Sequence, residues 1–180
     1  MDKNVTNRQT YKLVFVALMI ALTLIVNRVF PSTPVYHLTV DFIPVYIVAV
    51  LFGPFWSALT YAVADTIGGI LFPVGPYNPG ITLTLLMIGL ILGLIFGGRR
   101  SMAPSTLWIR SFAAAAATLV IKLFGTTYFL YLTYGGPDGM GYFAYVISRI
   151  PNCVVFAALV LILIPPVQKI IVERVASHLQ

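Results

Sequence analysis

Charged residues are scarce in this sequence. Only 9% of its 180 residues are Asp, Glu, Lys or Arg, whereas 59% are hydrophobic. Soluble domains carry roughly 25% charged residues, because their surface must be hydrated. The mean hydropathy of +0.96 points the same way. This composition excludes an ordinary soluble domain and predicts a protein whose main solvent is lipid.

The residues and motifs of common catalytic sites are also missing. The one cysteine, Cys153, lies in an apolar run, so a disulfide within the chain is excluded and we interpret Cys153 as a small buried hydrophobe. The sequence contains no Gly-x-x-x-x-Gly-Lys-Ser/Thr phosphate loop, no His-Glu-x-x-His, no Cys-x-x-Cys and no Gly-x-Ser-x-Gly. Five acidic residues leave little for general acid–base chemistry. These absences disfavour an enzyme, and we predict neither a metal site nor a cofactor.

Long apolar runs, separated by proline and glycine, fill most of the chain. A hydrocarbon core of about 30 Å needs about 20 apolar residues for each helical span, so a chain of this length allows about six spans. We predict an all-α integral membrane protein with one six-helix domain over residues 1–180 and short tails over about 1–10 and 167–180. The predicted spans are Tyr11–Phe30, Leu38–Phe52, Phe55–Leu71, Ile81–Phe96, Thr106–Leu132 and Tyr142–Ile164.

The ends of the apolar runs carry further signals. The first run, Leu13–Val26, is interpreted as a membrane helix rather than a cleaved secretion signal, because no small-x-small cleavage site followed by polar sequence comes after it. Pro165–Pro166 is predicted to kink or end the sixth span. The amphipathic tail Val167–Leu179 is predicted to lie at the membrane surface.

The basic residues predict the orientation, since Lys and Arg favour the cytoplasmic side of short loops. Six spans place eight of them on one side: Lys3, Arg8, Lys12, Arg99, Arg100, Arg110, Lys169 and Arg174. Both termini are therefore predicted to be cytoplasmic. The loops Pro31–His37, Pro73–Gly80 and Tyr134–Gly141 are then predicted to face outward.

Tyrosines gather in and beside these outward loops. Aromatic rings with polar tips, in loops stiffened by proline, suit a pocket for a flat heterocyclic ligand. An aromatic belt at the membrane interface has the same composition, so both interpretations stay open. The residues concerned are Tyr36, His37, Tyr77, Asn78, Tyr128, Tyr131, Tyr134 and Tyr142.

Ionisable residues fall within or at the ends of the predicted spans: Arg28, Asp41, Asp65, Lys122 and Arg149. A charge in hydrocarbon is costly, so such residues usually face a cavity or a partner. Arg149 and Asn152 are three residues apart and share a helix face, where a guanidinium and an amide can bind a ligand by hydrogen bonds. A structural ion pair of Arg149 or Lys122 with Asp65 is the alternative.

Small residues at a four-residue spacing let membrane helices approach closely. Gly89, Gly93 and Gly97 have this spacing in the fourth predicted span, where packing within the protein is the default interpretation. Ala17 and Ala21 have it in the first span, which precedes no buried polar group. This alanine face is a candidate for docking a partner protein.

Over nearly its whole length the sequence resembles the substrate-binding S components of energy-coupling factor (ECF) vitamin transporters. The resemblance rests on the six predicted spans, on Ala17-x-x-x-Ala21, and on Phe52-Gly53-Pro54 leading to Ala64-Asp65-Thr66-Ile67-Gly68-Gly69. The segment Phe72–Gly80 is similar to the Pro-x-Gly-x-Tyr-x-Pro-Gly loop of the folate-specific members. Arg149 and Asn152 also resemble that branch.

The resemblance implies a function and partners. An S component of this family captures a vitamin outside the bacterial cell membrane, docks on a transmembrane T subunit that two cytoplasmic ATPases drive, and is thought to topple in the membrane. Ala17 and Ala21 would form the docking surface. With folate as the ligand, tyrosines would stack on its rings, Asn152 would pair with the pterin edge, and Arg28, Arg149 or Lys122 would face its carboxylates. The predicted ligand-binding residues are Arg28, Tyr36, His37, Tyr77, Asn78, Lys122, Tyr128, Arg149 and Asn152.

Two alternatives remain open. The first is an S component for another vitamin, namely pantothenate, riboflavin or a pyrimidine precursor of thiamine. The second belongs to another class, a stand-alone membrane scaffold or small channel that assembles through the glycine face of the fourth span.

Overall fold

The computed structural model describes residues 3–29, 40–73, 76–99, 101–136 and 139–172. Within these ranges every regular element is helical. The helices are α1 (Lys3–Val29), α2 (Phe42–Phe52), α3 (Pro54–Leu71), α4 (Pro79–Phe96), α5 (Pro104–Val120), α6 (Thr127–Tyr134) and α7 (Tyr142–Val167). A π-helical turn, Ile121–Thr126, joins α5 to α6 without a break, and a second one, Gln168–Val172, continues α7.

The predicted all-α architecture with six helical segments is confirmed, because α5, the first π turn and α6 form one rod. Four segments are long and apolar enough to cross a membrane: Gln9–Asn27, Pro79–Phe96, Pro104–Tyr134 and Tyr142–Ile170. The other two are α2, which has 11 residues, and α3, which has 18 residues and carries Asp65.

Helix α2 forms the centre of the bundle. Nine of its 11 residues are buried, including Tyr46, Val48 and Val50. Its side chains contact neighbouring helices on all sides, so α2 needs no polar face and its sequence is apolar throughout. The helix begins at Phe42, four residues later than predicted, and Leu38 lies outside the described residues.

Helices α3 and α4 pack so closely that only glycine fits between them. A Cβ atom on Gly89 would lie 2.7 Å from the Ser57 carbonyl oxygen, and a Cβ atom on Gly93 would collide with Cα of Pro54. The Ser57 hydroxyl donates a hydrogen bond of 2.7 Å to the Gly89 carbonyl oxygen. Because α3 covers this face of α4, the alternative of assembly through the glycine face is wrong.

Helix α7 includes Pro165–Pro166, so of the two predicted effects of these prolines the helix end is not observed, and the kink stays a prediction. The α-helix continues to Val167 and then widens into the π turn Gln168–Val172. Long-range hydrogen bonds hold this segment: the Tyr46 hydroxyl donates to Gln168 Oε1 at 2.6 Å, and Gln168 Nε2 donates to the Arg99 carbonyl oxygen at 3.1 Å. Residues 173–179 of the predicted surface tail lie outside the described residues.

The contact between α3 and α4 gives a test by substitution. Gly93→Ala should lower the free energy of unfolding by about 1–3 kcal/mol, because the added methyl group collides with the backbone at Pro54. Gly141→Ala is the matched control, since an added Cβ there meets no atom within 4 Å. Thermal melting of both variants in detergent, followed by intrinsic fluorescence, measures the difference. Equal melting temperatures would contradict the packing.

Candidate ligand-binding site

Four tyrosines form a continuous aromatic cluster at the mouth, which we define as the end of the bundle where α6 ends and α7 begins. Ring centroids lie 6.0 Å apart for Tyr128 and Tyr142, 5.5 Å for Tyr131 and Tyr142, and 6.1 Å for Tyr131 and Tyr145. The innermost ring, Tyr145, is buried, whereas Tyr128 is exposed. Tyr145 is not among the site residues predicted from the sequence. Its four-residue spacing from Arg149 on one helix is nevertheless a signal that the two share a face.

Arg149 lies one helical turn after Tyr145 on α7, next to the innermost ring of this aromatic cluster. Its side chain is only 5% exposed, and its guanidinium donates to the Tyr145 hydroxyl at 3.3 Å. The Nε donor of Arg149 makes no hydrogen bond within the described residues. Asn152, one turn further along α7, is 7% exposed. Arg149 and Asn152 are thus buried together, as their spacing predicts, and Arg149 retains a donor that a ligand can use.

Lys122 brings a second cation to this region from the π turn. Its Nζ atom lies 3.4 Å from the ring centroid of Phe156 on α7, which stabilises the cation through the face of the ring. Arg149 and Asp41 both act electrostatically on this ammonium group. Asp41 is 3% exposed and precedes α2. The structure therefore favours Asp41 over Asp65 as the carboxylate that acts on Lys122.

The π turn contains Lys122 as its second residue. It inserts an extra residue into the helical repeat and so rotates the side chains that follow. The Thr127 hydroxyl donates to the Lys122 carbonyl oxygen at 3.2 Å, and Gly125 packs against Thr84 of α4. Turns of this kind are frequent at functional sites.

Asp65 on α3 belongs to a chain of hydroxyl groups. The Thr82 hydroxyl of α4 donates to Asp65 Oδ2 at 2.5 Å. The Tyr77 hydroxyl lies 2.9 Å from the Thr82 hydroxyl and 3.3 Å from the Thr66 hydroxyl. The Tyr77 ring packs on Gly69, where a Cβ atom would lie only 2.7 Å from the ring. Tyr77 thus ties the segment between α3 and α4 to α3.

Asn78 ties the same segment to α6. Its Oδ1 atom accepts from the Gly80 backbone N–H at 2.8 Å and caps the start of α4. Its Nδ2 atom donates to the Phe129 carbonyl oxygen at 2.8 Å and to the Thr133 hydroxyl at 2.5 Å. The structure gives Tyr77 and Asn78 a role in holding the mouth together, and their contact with a ligand stays a prediction.

Three other predicted ligand-binding residues cannot be placed in this site. Tyr36 and His37 lie outside the described residues, and Arg28 lies on α1 with its side chain outside them. The two predicted docking residues, Ala17 and Ala21, are both exposed on α1 beside Leu18 and Leu22. The alanine face is thus accessible on the surface that the described residues form.

A bundle of apolar helices around buried charges and aromatic rings is typical of a membrane protein that holds a small polar ligand. Residues 11–168 match the family described as ECF transporter, substrate-specific component. The chain therefore belongs to the substrate-specific components of ECF transporters, and it is a multi-pass membrane protein.

Several relatives carry one name. The chain is 28% identical over 124 residues to the folate transporter FolT of Clostridium novyi, with 68% of this chain and 70% of that protein covered. It is 26% identical over 150 residues to the folate transporter FolT of Leuconostoc mesenteroides, with 82% and 79% covered. It is also similar to a crystal structure of FolT bound with folic acid, with a TM-score of 0.75, 28% identity, and 87% and 92% of the two chains covered.

The role of Asn78 in holding the mouth can be tested. Asn78→Ala removes the cap of α4 and both bonds to α6, so it should lower the free energy of unfolding by about 2–4 kcal/mol, at about 1 kcal/mol for each bond plus the loss of the cap. Thr133→Val removes only one of these partners and should cost about 1 kcal/mol. Melting temperatures without ligand rank the variants, and an Asn78→Ala protein as stable as the wild type would disprove this role.

Proposed function

We propose that this S component binds folate with high affinity outside the cell and delivers it to the rest of an ECF transporter. The name shared by its relatives, and the folic acid bound in the related crystal structure, support folate as the ligand. The chemistry of the buried site supports it independently.

One observation carries the proposal: a buried guanidinium, Arg149, and a half-buried ammonium, Lys122, act on each other inside the bundle, the first against Tyr145 and the second against Phe156. Folate combines a flat pterin, a benzene ring and a glutamate with two carboxylates. The tyrosine rings offer faces and edges for its ring systems. The unpartnered Nε donor of Arg149 and the ammonium of Lys122 offer charge-assisted hydrogen bonds to its carboxylates. A neutral vitamin would add no anion to this region, where two cations face the single carboxylate of Asp41 among the groups that act on Lys122.

The proposed partners are a transmembrane T subunit and two ATPases. The chain has no phosphate loop, so in this proposal the partner subunits hydrolyse ATP and this subunit carries no cofactor. The exposed stripe around Ala17 and Ala21 supports docking through α1, because small side chains let a partner helix approach closely.

Folate binding is tested by isothermal titration of the purified chain. The wild type should bind folate, and Lys122→Met and Arg149→Gln should each weaken binding by roughly 10- to 100-fold through the loss of a charge-assisted hydrogen bond. Arg110→Gln is the control, since Arg110 bonds the Ile95 carbonyl oxygen near the opposite end of the bundle.

A second ligand separates a direct contact from a loss of folding. 6-Hydroxymethylpterin keeps the pterin of folate but has no carboxylate, so Lys122→Met and Arg149→Gln should bind it as well as the wild type does. Wild-type protein that gives no heat with folate but binds pantothenate, riboflavin or a thiamine precursor would reject folate as the ligand.

Docking through α1 is tested by Ala17→Trp. The bulky ring should block close approach of a partner helix, and hence assembly with the T subunit and folate uptake, but folate binding by the isolated chain should not change. Ile109→Trp is the matched control, because Ile109 is 71% exposed on α5. Co-purification and uptake in cells that express the whole transporter provide the readout, and lost folate binding in Ala17→Trp would show that this helix face has another role.

A further inference from the structure

Lys122 and Tyr131 both face α7, although their spacing in a regular helix would put them on opposite sides. The Lys122 ammonium lies over Phe156, and the Tyr131 ring contacts Tyr142 and Tyr145. Successive residues of an α-helix are rotated by about 100°, so residues nine positions apart differ by about 180°. The π turn absorbs one residue between them, which reduces the difference to about 80°. The turn therefore brings the cation and the aromatic ring to one side of the rod.

Helix α4 contacts the π turn through Thr84, which is buried. The Thr84 hydroxyl donates to the Ile81 carbonyl oxygen of its own helix at 2.7 Å, so Thr126 is the donor in the 3.1 Å hydrogen bond between the two threonine hydroxyls. Gly125 lies against the same side chain, and a Cβ atom there would be 2.8 Å from Cγ2 of Thr84. A hydrogen bond and a close packing contact thus connect the turn to one residue of α4.

Thr127 stabilises the turn within the rod. Its backbone N–H bonds the Lys122 carbonyl oxygen, five residues earlier, which is the hydrogen bond that defines a π turn. Its hydroxyl donates to the same oxygen at 3.2 Å, and Thr127 is buried. The backbone at Lys122 is therefore fixed by Thr127, and the turn that contains it is fixed by α4.

The position of this backbone matters because the Lys122 ammonium is one of two cations inside the bundle. Arg149 repels it, and an anion between the two groups would offset that repulsion. A charge-assisted hydrogen bond from an ammonium to an anion requires an N–O distance of about 2.7–2.9 Å. A displaced turn would carry the ammonium out of this narrow range.

We propose that Thr84, Gly125 and Thr126 are positioning residues that hold the π turn in place, and through it hold the Lys122 ammonium within reach of the ligand's anionic group. The assignment rests on the proposed folate-binding function. None of the three residues needs to contact the ligand, because they act through Lys122.

The test compares folate with 6-hydroxymethylpterin, which has no carboxylate, by titration of the purified chain in detergent. Thr126→Val removes the hydrogen bond to α4, so it should lower the ratio of folate affinity to pterin affinity by roughly 3- to 10-fold. Thr126→Ser keeps the hydroxyl and should retain the wild-type ratio. Thr60→Val is the matched control, since the Thr60 hydroxyl is buried but bonds only the Trp56 carbonyl oxygen of its own helix, and it should not change the ratio.

A double-mutant cycle with Lys122→Met shows whether Thr126 acts through Lys122. In the Lys122→Met protein, Thr126→Val should change the affinity for folate by less than about twofold, because the group that it positions is absent. An equal loss in both backgrounds would overturn the assignment, as would a Thr126→Val protein that binds both ligands more weakly by the same factor. Wild type that binds no folate would instead overturn the proposed function, and this assignment with it.

The packing contact supplies a second, independent test. Gly125→Ala places a methyl group against Cγ2 of Thr84 and should also lower the ratio of folate to pterin affinity at least threefold. Adding Thr84→Ser removes Cγ2 but keeps the hydroxyl, so the double variant should recover a ratio within about twofold of the wild type. A Gly125→Ala protein with the wild-type ratio, or a double variant that recovers nothing, would contradict positioning by α4.

Discussion

Two cations, the buried Arg149 and the half-buried Lys122, lie inside a bundle whose outer surface faces lipid, and several interior contacts are arranged around them. A charge in such a position is costly, so each needs local stabilisation. Phe156 offers its ring face to Lys122, Tyr145 accepts a hydrogen bond from Arg149, and Asp41 adds a negative charge at the start of α2. The two cations also repel each other, and an anion bound between them would offset this repulsion.

The mouth and the interior contribute different kinds of interaction. At the mouth, Tyr77 and Asn78 form hydrogen bonds with groups on α3, α4 and α6, and these bonds connect the three helices at this end of the bundle. Deeper inside, Arg149 keeps a donor that bonds no described residue. The mouth is thus already held in place by hydrogen bonds before a ligand binds. Such preorganisation favours tight binding, because little must be ordered when the ligand enters.

Small residues at the same spacing lie in opposite environments in two helices. Gly89 and Gly93 are covered by α3, where their missing side chains allow backbone contact within the bundle. Ala17 and Ala21 are exposed on α1, where the family's docking surface is expected. Sequence spacing alone does not distinguish these cases, because it defines a helix face but not what covers that face. Only the packing of α3 on α4 shows which small-residue face is already used.

Local sequence was sufficient for the helical segments, the membrane environment and the pairing of Arg149 with Asn152 on one face. These features depend on the length of apolar runs, on proline and glycine between them, and on helical spacing. It was not sufficient for the π turn at Lys122, the continuation of α7 past Pro165 and Pro166, or the proximity of Asp41 to Lys122. These depend on contacts between residues far apart in the chain, such as Tyr46 with Gln168, and such contacts have no signature in the neighbouring sequence. The tertiary structure therefore decided which of the charged residues inside the bundle act on one another.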